Sequence, residues 1–244
     1  MRTGSAIKGA VQTVLLKTWK AAQTGMDLRN LVVTFSGEGA FMSKTNPTFG
    51  QVDVLVNLPD FRDDKAFSDD HADRIVAMAL HEIGHGFFTD SDAWNAVVEA
   101  NGGDRLLHRC INAFEDVRME HALIASGYAA GSERLLTVLL KHMTKDCDES
   151  TFKRIENVPF ALCVDGRQYG VSVSHLQTKY AAIVSEAVNR CVDLRSTADS
   201  ALAGLWLWKE LKQQGIKVGD KVRCKITGKI GTVKSIRKDI AEVV

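Results

Sequence analysis

The chain has 244 residues, 45% of them hydrophobic and 25% charged, the composition of a globular protein able to bury a sizeable core. A formal net charge of +1 excludes a general attraction of the whole molecule to nucleic acid or acidic surfaces. The five cysteines, Cys110, Cys147, Cys163, Cys191 and Cys224, are far apart and form no CxxC pair, which argues against a disulfide framework or zinc ribbon and for a reducing, cytoplasmic setting.

In chain order, Ile7, Val11, Val14, Leu15 and Trp19 recur at helical spacing, which predicts an amphipathic helix docked on the core rather than on a membrane. No apolar run approaches the roughly 20 residues of a membrane span, and the N-terminus lacks the apolar centre of a secretory leader. Three runs rich in Val and Phe, at 31–37, 40–43 and 51–59, read as strands, and the last could be a sheet edge on which an extended substrate lies. Ser68 then caps a helix whose first turn carries Asp69 and Asp70 and which runs to about Phe88. Further helices are expected at 91–101, 103–126, 132–146, 174–195 and 198–214, with "ENVPFALCVDGRQYG" as a break. In the last of these, Trp206 and Trp208 fall on nearly opposite faces, so one belongs to the core and the other to ordinary packing or a partner. The fold class is α+β: a helix-dominated domain over residues 1–214 with a small mixed sheet, then a basic β tail over 216–244.

The stretch "ALHEIGHGFF" at 79–88 carries the chemistry. Residues four apart on a helix share a face, so His81 and His85 can point ring nitrogens at one ion. Glu82 lies about 100° round the helix, close enough to hold a water without being a ligand. Val76, Ala77, Leu80, Phe87 and Phe88 bury the helix, so its polar residues need partners, and a metal is such a partner. Gly84 leaves room for another element to pack close. The metzincin continuation is absent, since Phe88 and Ser91 stand where Gly and His are required. The third ligand is therefore expected from "CINAFEDVRMEHALI". On the helical wheel Glu115 is surrounded by Ile111, Asn112, Met119 and Ala122, which makes it the carboxylate most in need of a cation. Asp116 is the alternative ligand, followed by His121 and Glu120. Asp116 could also orient a histidine from behind, whereas Arg118 and Glu120 read equally as a salt-bridged helix face.

The pattern His81-Glu82-x-x-His85, followed by a carboxylate on a later helix, resembles the gluzincin branch of zinc metallopeptidases. The run Asn112-Ala113-Phe114-Glu115-Asp116-Val117-Arg118-Met119-Glu120 is similar to a segment of phage and bacterial CobT-like proteins, and the strand ending "VNLPD" also fits that group. The resemblance spans roughly residues 30–125. It implies a zincin-like domain with zinc on His81, His85 and Glu115, Glu82 as general base, and a protein or peptide substrate. It equally allows a non-catalytic metal-binding scaffold acting as an adaptor in a chelatase-like or phage assembly. Two departures stand out. Met119 occupies the place four after Glu115 where the familiar segment has Asp, and no Asp-x-Ser-x-Ser motif of a von Willebrand A-type domain occurs. Tyr128, Tyr169, His121, His142 and Arg118 are the candidate oxyanion donors.

Residues 217–238 hold eight Lys or Arg and one acid, Asp220. Their alternation and Gly228 and Gly231 are similar to the opening of an SH3-like or KOW-type barrel, at about half the needed length. A solvated basic face accounts for this tail, and nucleic acid is the partner it would otherwise suggest, although aromatic residues for stacking bases are missing.

Overall fold

The first helix, α1 (Gly4–Ala22), forms where the apolar spacing places it, with the Thr3 hydroxyl accepting from the Ala6 N–H as its cap. Ile7, Val11, Leu15, Trp19 and Ala22 are its buried face. Just before it, strand β1 (Arg2–Thr3) pairs antiparallel with β5 (Ala66–Phe67), a two-residue clip too short to leave a periodic signal. This computed structural model describes residues 1–23, 28–45, 52–177, 179–215, 221–223, 230–237 and 240–243.

Strands β2 (Leu28–Phe35), β3 (Phe41–Thr45) and β4 (Val52–Leu58) make a mixed sheet in the order β2-β4-β3. β4 runs parallel to β2 and antiparallel to β3. The expectation that the run 51–59 forms a substrate-bearing edge is thus corrected: β4 is central, both its edges are paired, and Val54, Val56 and Leu58 are fully buried. The edges belong to β2 and β3.

The helices follow as α2 (Asp69–Phe88), α3 (Ser91–Ala100), α4 (Arg105–Ser126), α5 (Ser132–Thr144), α6 (Val158–Arg167), α7 (Ala181–Cys191) and α8 (Thr197–Gly215). Ser68, Asp90 and Asp104 cap α2, α3 and α4 through side-chain oxygens, and Gly127 in the left-handed region ends α4. Two expectations fail here. The stretch read as a break contains α6, because Pro159 sits in its first turn, where a missing N–H costs nothing, and so marks a start. The helix expected over 174–195 is a single 3-10 turn at Ser174–Leu176 followed by the shorter α7.

Among the described residues there are two large apolar cores, beside a small cluster of Leu107, Ile111 and Ala201. One joins α1, the sheet and α2; the other joins α4, α6, α7 and α8. Trp206 and Trp208 are both half-buried against the second core, under Arg190 and Lys212 at 4.0 Å from the ring centres. The two cores meet where α2 crosses α4, and Gly84 permits this approach because an added methyl would overlap Met119 Sδ. Gly204 does the same for α8, with Ile111 Cα only 2.6 Å from where a Cβ would sit. The fold class is α+β, as the sequence indicates. Near the C-terminus β6 (Lys221–Arg223), β7 (Ile230–Arg237) and β8 (Ile240–Val243) form an antiparallel order β6-β7-β8, one strand more than a hairpin. Gly228 lies outside the described residues. Among the described residues, no helix is long and apolar enough to cross a membrane.

Candidate metal centre

His81 and His85 lie one turn apart on α2, and α4 brings Asp116 against them. The His81 and His85 Nε2 atoms are 3.2 Å apart, and Asp116 Oδ1 is 3.1 Å from His85 Nε2 and 3.7 Å from His81 Nε2. Three ligands about 2.0–2.1 Å from a tetrahedral ion stand about 3.3 Å from one another, the spacing found here. Both rings are turned by their other nitrogen. His81 Nδ1 is 2.7 Å from Glu120 Oε1 and His85 Nδ1 is 2.9 Å from Thr89 Oγ1. With Nδ1–H donating in each, both Nε2 lone pairs face the same point. This group could hold a metal ion.

Charge around the point is arranged to match. Burial alone would lower the His81 pKa, but the Asp116 charge and the hydrogen bond and charge of Glu120 raise it to about 9. Burial also opposes ionisation of Asp116 and Glu120. The imidazoles beside Asp116 nevertheless hold it below the usual carboxylate range, as Arg167 and His81 do for Glu120. In the metal-free protein a proton on His81 therefore balances the acids that a cation would balance. Arg167 grips both Glu120 oxygens, Nε to Oε2 at 2.7 Å and Nη2 to Oε1 at 2.8 Å, and lies 3.7 Å from Asp116 Oδ2. Asn112 Nδ2 donates to that same Asp116 oxygen at 2.9 Å, and the Cys163 thiol lies 3.5 Å from it.

The structure does not bring Glu115 to the imidazoles. Glu115 is fully buried and bound by Arg118, Nε to Oε2 at 2.9 Å and Nη2 to Oε1 at 2.6 Å. Thr89 and Thr197 hydroxyls also donate to Oε1, at 2.7 and 2.9 Å. Its route to the site is indirect, through Thr89 to His85. The wheel argument misplaced it because the middle of α4, residues 113–120, is buried on every side: Glu115, Asp116, Arg118 and Glu120 all lie inside, so the apolar stripe is not the one that faces the imidazoles. Asp116 takes the position expected of Glu115, and Glu120, read as a helix-face ion pair, takes the orienting role expected of Asp116. The acid sought four residues after Glu115 does exist in frame with Asp116, as Glu120. Arg118 also donates to the Phe88 carbonyl at 2.6 Å, and Lys44 Nζ donates to the Thr89 carbonyl, so two cations close on the turn just after His85. His121 faces elsewhere, with Nε2 at 3.0 Å from the Arg167 carbonyl.

An open cleft of about 550 Å³ exposes His81, Glu82 and His85 between β3 and the helices α3 and α4. Burial raises the Glu82 pKa, partly countered by the nearby imidazoles and a hydrogen bond from the Met42 backbone. Tyr128, Tyr169, His121, His142 and Arg118, the candidate oxyanion donors, do not line this cleft; its polar walls include Asn95, His108 and Asn112. Residues that sequence reasoning missed are Thr89, which follows the helix end, and Arg167 and Cys163, which sit four apart on the helix read as a break. Comparison with protein-family models, with curated proteins and with solved structures gives no match.

Proposed function

We propose that the protein is a zinc-dependent metallopeptidase-like hydrolase in which His81, His85 and Asp116 hold the ion and Glu82 is the general base. The observation that carries this reading is the set of three converging donor atoms at tetrahedral spacing, beside a carboxylate on an open cleft. Three protein ligands with one side open is the arrangement of catalytic rather than structural zinc. Two imidazoles and one carboxylate suit zinc better than calcium or magnesium, which take oxygen ligands. Zinc, when bound, supplies Lewis acidity and a water whose pKa is lowered to about 7.

The chain's own residues do the rest. Glu82 Oε accepts the proton of the attacking water and passes it to the leaving amine, a task helped by its partly desolvated carboxylate. Glu120 and Thr89 hold the imidazole tautomers, while Arg167 and Asn112 hold Asp116 so that Oδ1 faces the two imidazoles. The edge strand β3 leaves room for an extended polypeptide, whose main chain can pair with it.

The test compares wild type with Glu82→Gln after zinc loading, measuring metal content and cleavage of an unstructured protein such as casein. Wild type should cleave, and Glu82→Gln should retain one zinc while losing at least about a hundredfold in rate. Full zinc occupancy with no cleavage by wild type would overturn the hydrolase reading and leave a metal-binding scaffold.

A further inference from the structure

The cleft over His81, Glu82 and His85 has a neighbour across α4. A second hollow of about 290 Å³ opens on the other side of Asn112 and His108, which wall both spaces. Its floor is buried and mostly apolar: Ala113, Pro159 and Cys163 lie below the surface beside Asp116, while Phe160 and Met143 rise at its sides. Arg109 and Glu156 stand at its exposed mouth, bridged by Arg109 Nη1 donating to the Glu156 carbonyl at 3.4 Å. Whole small-molecule ligands usually occupy about 300–1,000 Å³, so this hollow is sized for a part of a ligand.

We infer that this second hollow is the specificity pocket of the site, and that it takes one large apolar side chain, of the Phe, Met or Leu kind, from a polypeptide lying across Asp116. The inference rests on the peptidase reading for what crosses the cleft, but its chemistry is independent of hydrolysis. Three features carry it. The hollow adjoins the cleft that exposes His81, Glu82 and His85, with only Asn112 and His108 between them, so it lies within reach of a chain bound there. Its lining is mostly apolar, Arg109 and Glu156 stay at the mouth in water, and the one carboxylate in its depth, Asp116, has Oδ2 already held by Asn112 and near Arg167. Its back wall contains Asp116 and the Cys163 thiol that touches it, so a filled pocket covers the metal ligand's outer face and excludes water there.

The test uses zinc-loaded Glu82→Gln protein, which keeps bound peptide intact. Fluorescein-labelled hexapeptides of Gly and Ser carry one variable residue, placed in turn at each position, and binding is read by fluorescence polarisation. At one position Phe, Met or Leu should bind at least about tenfold tighter than Gly, as burial of such a side chain predicts, and Asp no tighter than Gly. Met143 is 47% exposed, so Met143→Glu should fold normally; it should erase the preference while zinc content and affinity for the Gly peptide stay within about twofold. Equal affinities across the series, absence of binding, or a preference surviving both Met143→Glu and Phe160→Ala would overturn the inference. Failure of wild type to cleave, with the binding preference intact, would instead remove the peptidase reading alone.

Discussion

The two helices that build the centre, α2 and α4, obey different rules. α2 is two-sided: Ile75, Val76, Ala79, Leu80 and Ile83 face the first core, while Asp69 and Asp70 face water and Arg74, Met78 and Glu82 are only half-buried. Its candidate ligands, His81 and His85, can be placed from spacing alone. α4 runs through the interior, touching α2, α6 and α8, and carries a fully buried Glu115 and a nearly buried Asp116 and Glu120. When a helix is enclosed all round, hydrophobicity no longer says which carboxylate faces which partner. Its acids are sorted instead by the cations they meet: Arg118, one turn on along α4 itself, for Glu115, and Arg167 of α6 for Glu120.

That contrast can be broken most sharply at Glu115 and Asp116. Glu115→Ala leaves the Arg118 guanidinium buried without its acid and should destabilise the metal-free protein by about 3–5 kcal/mol in urea unfolding. Asp116→Asn removes a ligand charge and should weaken zinc more than about a hundredfold in chelator competition. Loss of zinc by the Glu115 variant, with Asp116→Asn still binding tightly, would return the ligand role to Glu115. Next in size, Glu120→Gln weakens the hold on His81 Nδ1 and should lower zinc affinity about ten- to a hundredfold, because the ring loses its fixed tautomer.

The pH response follows from His81. Its folded value, about 9, lies above the ordinary imidazole value, so the stabilisation it gives the metal-free protein is complete below about pH 6.5 and is lost as pH rises through about 9. A metal must displace that proton. Zinc affinity should therefore rise about tenfold per pH unit between 7 and 8 from this group and flatten above about 9. An affinity independent of pH over that range would contradict the charge arrangement described for α4.

The smallest effects separate the two crossings. Gly204→Ala drives a methyl against the Ile111 backbone, which cannot swing aside, and should cost about 1–3 kcal/mol. Gly84→Ala meets only the flexible Met119 side chain and gains about 1 kcal/mol of helix propensity, so its net cost should stay below about 1 kcal/mol. Equal costs in thermal unfolding would mean that the α2–α4 contact is as rigid as the α4–α8 contact.

What the sequence made legible follows the same division. α1, the three strands and α2 emerged close to their observed places, because each alternates or repeats against one core and α2 starts on a capping residue, Ser68. α6 was hidden because Pro159, Gly166 and a run of small residues look like punctuation until a buried environment makes them packing residues, with Gly166 lying against Val117 and Cys191. Losing α6 also lost Arg167, and with it the reason Glu120 is an orienting group and not a surface ion pair. The pair Asp116 and Glu120, one turn apart, was the available signal for the correct frame.

The turn after His85 has one more consequence. Lys44 and Arg118 each bring a positive charge to carbonyls at the C-terminal end of α2, where the helix dipole favours it, and Thr89 ties the same turn to Glu115. The vessel is thus shaped before anything is poured into it. An ion taken up there would meet walls that these side chains have already set.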